Sequence, residues 1–213
     1  MVRRLANCLQ MLFRNRASGL NYEENMLNKA QQQFGAPSPQ IEAKIKSFMD
    51  PIVQEFISSS PFVVMATSNA DGDCDASPKG GKPGFVKVLD ERTLLLPDLA
   101  GNNLFQSYEN IETNPRVGLI VMIPGCGLTV RVNGRVSVVN KDQLESEGVK
   151  AEVVTMDEQT SLVQALKIEI DQVYPHCPRA FHFSGLWDVE TINANRETKG
   201  DPYWFQQWAK SAQ

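Results

Sequence analysis

The sequence predicts a mainly β protein of the α+β class, a small antiparallel barrel with helices at its flanks. Three observations carry this. Short apolar segments of strand length follow one another between residues 61 and 139, separated by polar turn signals. Helical periodicity is confined to a few segments, most of them near the ends of the chain. The regular strand–helix alternation of a doubly wound sheet, and its G-x-G-x-x-G fingerprint, are absent.

In chain order, the first 34 residues are the hardest to place. Arg3, Arg4, Arg14 and Arg16 surround Leu5, Leu9, Leu12 and Phe13, with no acidic residue before Glu23. Apolar residues at this spacing suit a helix docked on the body or on a partner subunit, and the basic composition would also suit a targeting or membrane-surface helix. Gly35-Ala36-Pro37-Ser38-Pro39 is a break, after which residues 41–58 read as one helix. Ile41, Ile45, Phe48, Ile52, Val53, Phe56 and Ile57 form its apolar face, and Pro51 is expected to kink it.

From Pro61 the period becomes that of strands. Residues 62–67 are apolar on both faces, and Asn69-Ala70-Asp71-Gly72 turns the chain into a partner strand at residues 74–77. Residues 85–89 and 93–96 flank the polar tip Asp90-Glu91-Arg92 as a second hairpin. Residues 102–113 read as a helix stopped before Asn114-Pro115, and residues 117–123 as a continuous apolar strand. Residues 130–139 alternate as a long strand with a bulge or turn at Asn133-Gly134. Residues 141–150 read as helix, and residues 165–173 return to the strand pattern.

Composition narrows the function. A chain of 213 residues with 42% apolar content can bury one substantial core with helical additions. Its net charge of −4, with both signs interleaved, leaves no electrostatic footprint for nucleic acid. Cys8, Cys74, Cys126 and Cys177 are widely spaced and lack a C-x-x-C pair, so neither a disulfide framework nor a zinc site is expected, and reduced thiols in a cytoplasmic protein are the default. No apolar run approaches the ~20 residues of a membrane span.

Several segments carry chemistry or mimic it. Ser77-Pro78-Lys79-Gly80-Gly81-Lys82-Pro83-Gly84 would let the backbone approach a ligand while Ser77, Lys79 or Lys82 reaches an anionic oxygen; it also reads as an ordinary surface loop. Lys87 lies inside an apolar strand, so its ammonium must snorkel, pair or face a polar cavity. Gly101-Asn102-Asn103 opens a helix, where backbone N–H groups favour an anion, although Asn there also serves as a simple cap. Thr129, Arg131 and Asn133 share one strand face, which is either ligand-facing or solvated. His176-Cys177 lacks an orienting acid and its two side chains diverge, which argues against a nucleophile–base pair. Trp187 could edge a pocket or cover the core, and Trp204, Phe205 and Trp208 at helical spacing are expected to dock a C-terminal helix.

The order of these landmarks, PFVVMATSNADGD, SPKGG, GFVKVLD, LLLPD, GNN, NPRVGLIV and TVRVNGR, resembles the pyridoxamine 5′-phosphate oxidase-like FMN-binding split-barrel family. KIEIDQVYPHCPRAFHFSGLWD looks like the closing strand and C-terminal region of an uncharacterised flavoprotein branch of it. The resemblance implies a six-stranded antiparallel split β-barrel and a homodimer with FMN in grooves at the subunit interface. It implies a helical extension over residues 1–40, a barrel over 41–190 and a helical tail over 191–213. The family's basic strand, which meets flavin and phosphate, falls on Lys82, Phe85, Val86 and Lys87, with Ser77 and Lys79 in the loop beside it. The pair after the hairpin falls on Leu96-Pro97, the phosphate-binding pair at the helix start on Asn102-Asn103, and the residue reached from the partner's strand on Thr129, near Arg131. Trp187 is placed at the ligand's edge. The helix-start pair is usually basic in the oxidases, so two neutral Asn residues ask Lys79, Lys87 or Arg131 to compensate. Asp188-Val189-Glu190 stands where the oxidases carry a basic substrate motif, which argues against vitamin B6 as substrate. The expectation is an FMN-dependent oxidoreductase acting on an unknown small substrate, with no metal. The alternatives are a flavin-binding or sensing protein without turnover, a barrel binding haem or a deazaflavin, and a purely structural dimer whose groove is empty.

Overall fold

A computed structural model describes residues 27–99, 104–146 and 162–211. The chain divides into two compact units between Lys44 and Ile45. The described part of the first holds two short helices, α1 (Lys29–Phe34) and α2 (Pro39–Glu42). Asn28 caps α1 with a reciprocal capping box through Gln31. The Arg-rich segment before Glu23 lies outside the described residues.

The second unit is built on one antiparallel sheet with flanking helices. Its strands are β1 (Phe62–Ser68), β2 (Cys74–Gly80), β3 (Lys87–Val88), β4 (Thr93–Leu99), β5 (Arg116–Met122), β6 (Thr129–Asn140) and β7 (Leu162–His176). The order is β2-β1-β5-β6-β7-β4-β3. Seven strands are thus hydrogen-bonded where six were expected, the extra one being the two-residue β3, and among the described residues no ladder joins β2 to β3. Helix α3 (Pro51–Ser59) buries Val53 and Ile57 against the sheet, each contributing about 1.5–3 kcal/mol. Met65, Leu94, Leu119, Val132 and Ile168 join them in the core.

Two helical expectations are corrected. The predicted helix over residues 41–58 is interrupted, because Asp50 accepts the Val53 N–H and Pro51 occupies the first turn of α3. Proline at that position starts a helix at no hydrogen-bonding cost, so it begins α3 and does not kink a longer one. The helix predicted from residue 102 is α4 (Gln106–Thr113), preceded by Phe105 in the left-handed region (φ 51°). The predicted SPKGG loop is also corrected: Ser77 to Gly80 continue β2 opposite Met65 to Phe62. Its proline is tolerated because β2 is an edge strand, with no neighbour awaiting its N–H.

The bulge anticipated at Asn133-Gly134 is present, as a register shift against β7. A Cβ at Gly134 would lie 2.2 Å from the Glu169 carbonyl oxygen, so the close approach of β6 and β7 requires glycine. Beyond the bulge, Val139 packs with Leu95, Ala165 and Leu144 of α5 (Lys141–Ser146) as a second apolar cluster. The C-terminal helices are α6 (Arg179–Ser184), α7 (Val189–Lys199) and α8 (Asp201–Ser211). The expected docking of Trp204, Phe205 and Trp208 is not found in the single chain: all three are exposed, and none of these helices buries a residue.

Candidate functional site

Side chains of β2, at one edge of the sheet, and of β4, next to the other edge, meet. On β2, Asp75, Ser77 and Lys79 stand opposite the buried Thr67, Met65 and Val63, and so turn to the core side. Lys79 Nζ lies 2.7 Å from Asp98 Oδ1 at the far end of β4. Asp98 Oδ2 accepts the Tyr108 hydroxyl of α4 at 2.7 Å. Beside them the Ser107 hydroxyl donates to Asp75, and Asn110 Nδ2 donates to Thr67 Oγ1 at 3.0 Å. Burial pushes the Tyr108 phenol well above its ordinary value, and the hydrogen bond to the Asp98 carboxylate with its charge adds to the rise. Lys79 is therefore matched by a carboxylate of its own chain. Asp98 and Tyr108 were not anticipated; the available signal was a lone acid closing the apolar run LLLPD.

The remaining predicted residues are scattered. Phe85, Val86 and Leu96 turn their side chains into the core, so a ligand could meet them only through the backbone. Pro97 is buried opposite Ala165. Ser77 is half-buried opposite Met65, and Lys82 is exposed in the turn after β2, its carbonyl accepting the Phe85 N–H. Asn102 and Asn103 lie outside the described residues. Trp187 is half-buried, stacks on Phe181 with ring centroids 5.8 Å apart, and donates to the Cys126 carbonyl at 3.0 Å. That bond ties the segment after β7 to the β5–β6 connection. Cys74, Cys126 and Cys177 are free thiols, and among the described residues no cluster of three ligating side chains could hold a metal ion.

The outer face of the sheet carries cations with no ion-pair partner among the described residues. Where β1, β5, β6 and β7 lie side by side, the register aligns Phe62, Met122, Thr129 and His176 in one row, and Val64, Ile120, Arg131 and Tyr174 in the next. Half of this block is apolar and half is able to donate hydrogen bonds. Arg131, Tyr174 and His176 are half-buried and Thr129 is 4% exposed, yet none of the four side chains has an ion pair or hydrogen-bond partner among the described residues. The following row, Ala66, Gly118 and Asn133, has small side chains on β1 and β5 and opens a shallow hollow of about 390 Å³ bounded by the Arg116–Asp171 pair.

Lys87, a further cation with no ion-pair partner among the described residues, is half-buried opposite Leu95. Leu95 stands opposite Lys167, and Lys167 opposite Ser137. Ser137 is six residues beyond Arg131 on β6, so the two cations are about 20 Å apart along the strand at roughly 3.3 Å per residue. Within one chain they cannot hold the same phosphate group.

The family profile described as pyridoxamine 5′-phosphate oxidase matches residues 49–177, from the lead-in to α3 through the end of β7. The chain belongs to that family. No curated protein matches. Among solved structures, HupZ of Group A Streptococcus is 16% identical, covering 59% of this chain and 91% of its own with a TM-score of 0.44. An FMN-binding protein of Syntrophomonas wolfei subsp. wolfei is 11% identical, with coverages of 57% and 81% and a TM-score of 0.44. General Stress Protein 26 of Bacillus anthracis is 18% identical, with coverages of 56% and 87% and a TM-score of 0.36. The matched stretch of this family member contains every strand described above. It ends before α6 to α8, so the exposed aromatic helices lie beyond the family profile.

Proposed function

We propose that the chain is an FMN-binding flavoprotein of the split-barrel kind, an oxidoreductase whose flavin lies in a groove between two copies. The observation that carries this is that Lys87 and Arg131, both half-buried and neither with an ion-pair partner among the described residues, are set on one sheet face too far apart to serve one anion within a single chain. A second copy turned about a two-fold axis would bring the Lys87 end of one sheet to the Arg131 end of the other. The donor set suits the group: two cations without acidic partners and a nearly buried hydroxyl at Thr129. The interlocking of Lys79, Asp98 and Tyr108 across the sheet ends supports the barrel part of the reading.

In this assignment Lys87, with Lys82 in the turn before it, meets the phosphate, while Thr129 and Arg131 of the second copy supply donors to the polar edge of the ring. Phe85, Val86, Leu96 and Pro97 fix the backbone of the hairpin from which Lys87 projects. FMN, when bound, supplies two-electron transfer at its N5 atom. The chain's own residues bind and orient it.

Mass spectrometry of the small molecule released on denaturation tests the reading, together with the absorption spectrum of the purified protein. Flavin bands and the mass of FMN are expected. A Soret band, a deazaflavin mass or a colourless protein that takes up no added FMN would refute it. Reduction by a nicotinamide donor followed by reoxidation in air separates an enzyme from a flavin-holding protein.

A further inference from the structure

Tyr174 and His176 are used by nothing described so far. They stand on β7 directly opposite Arg131 and Thr129, so the four side chains form a two-by-two block. Adjacent strands are about 4.8 Å apart and a two-residue step is about 6.7 Å, so the block has the size of one small acid group and its stem. The other half of the two rows, Phe62, Met122, Val64 and Ile120, repeats those dimensions in apolar side chains. Among the described residues no buried side-chain nitrogen or oxygen lacks a partner, so the hydroxyls, imidazole and guanidinium of this block reach its surface, with no carboxylate in their rows, and are open to a ligand.

We infer that Tyr174 and His176, with Arg131, bind the carboxylate of a small planar aromatic acid that is the substrate, its ring lying on the apolar half of the rows. This rests on the flavin reading of the same face. Arg131 is the sole fixed charge of the block, which balances a monoanionic carboxylate better than the dianion of a phosphate monoester. Its planar guanidinium has five N–H donors, enough to serve the flavin with one edge and a carboxylate with the other.

The test uses the full-length FMN-loaded protein and three probes of one shape: benzoate, benzamide and phenyl phosphate. Binding is read from perturbation of the flavin absorption bands and, independently, by calorimetry. Benzoate is expected to bind at least about tenfold more tightly than the other two, as befits a charge-assisted hydrogen bond. Tyr174→Phe and His176→Gln, singly and together, should each weaken benzoate by about tenfold while flavin content stays at the wild-type level. Tyr174→Phe changes one oxygen atom and keeps the test available if the double variant does not fold. Equal binding of benzoate and benzamide, or tighter binding of phenyl phosphate, would overturn the inference. Loss of flavin in the Tyr174 or His176 variants would also overturn it, because the block would then hold the flavin itself. Absence of flavin bands before any titration would instead refute the reading beneath it, and the inference with it.

Discussion

Lys79 and Asp98 are 2.7 Å apart although they sit on strands near opposite ends of the sheet order, β2 at one edge and β4 next to the other. Their side chains are only 20% and 12% exposed, so water replaces little of the contact. Asp98→Ala should destabilise the fold by about 2–3 kcal/mol, because it leaves the Lys79 ammonium and the Tyr108 hydroxyl without their acceptor. Urea denaturation measures this. A loss no larger than that of an exposed pair would show that the sheet ends are held by other contacts.

Tyr108 links stability to high pH. Its phenol is raised above the ordinary value of 10, first by burial and then by Asp98, so the folded state keeps the proton more tightly than the unfolded chain. The associated stability is complete below pH 10 and is lost as the pH climbs towards the higher folded value. Thermal melts from pH 8 upward should show a fall beginning near 10, smaller in Tyr108→Phe. Identical profiles for the two proteins would remove Tyr108 as the cause.

Asp50 acts at the other end of the scale. Burial alone would raise its carboxyl, but hydrogen bonds from Lys46 and from the Val53 N–H outweigh burial and hold it below 3.8. This contribution is present above pH 3.8 and disappears as the pH falls through the lower folded value. Asp50→Ala should cost about 1 kcal/mol at neutral pH as the loss of a helix cap, and the difference from wild type should shrink in acid.

Gly134→Ala should cost about 3 kcal/mol, since the new methyl group would meet the Glu169 carbonyl at 2.2 Å. Gly118→Ala is the control: its nearest neighbour is the Asn133 side chain at 3.4 Å, which can move. Circular dichroism during urea unfolding should separate the two variants clearly.

Lys87→Ala and Arg131→Ala should each lower FMN retention while leaving the fold intact, because neither side chain supports another described residue. Flavin absorbance per polypeptide after gel filtration reports this. Wild-type occupancy in both variants would take them out of the binding groove.

Much of the fold could be read from local chemistry. Asn69-Ala70-Asp71-Gly72 and Asn133-Gly134 announce a turn and a bulge through residues suited to them, and both occur where expected. Pro78 misleads because a proline reads as loop, and only the position of β2 at the sheet edge makes it admissible in a strand. At Pro51 the apolar period runs on unbroken and masks the Asp50-Pro51 start signal inside it. The site is harder to read because it depends on curvature and register. Nothing near Lys79 in sequence indicates Asp98, nineteen positions away, and nothing near Arg131 indicates Tyr174. Lys87 and Arg131 stand far apart within one chain for the same reason: shared charge does not reveal how far apart a sheet carries its residues.

Of the three tryptophans, Trp204 and Trp208 face water on α8 and Trp187 is half-covered with its indole N–H bonded. Intrinsic emission from the single chain is accordingly dominated by solvated indoles at long wavelength. Any surface that closes over α8, a second copy included, will announce itself as a shift to the blue, with no dye attached and no residue changed.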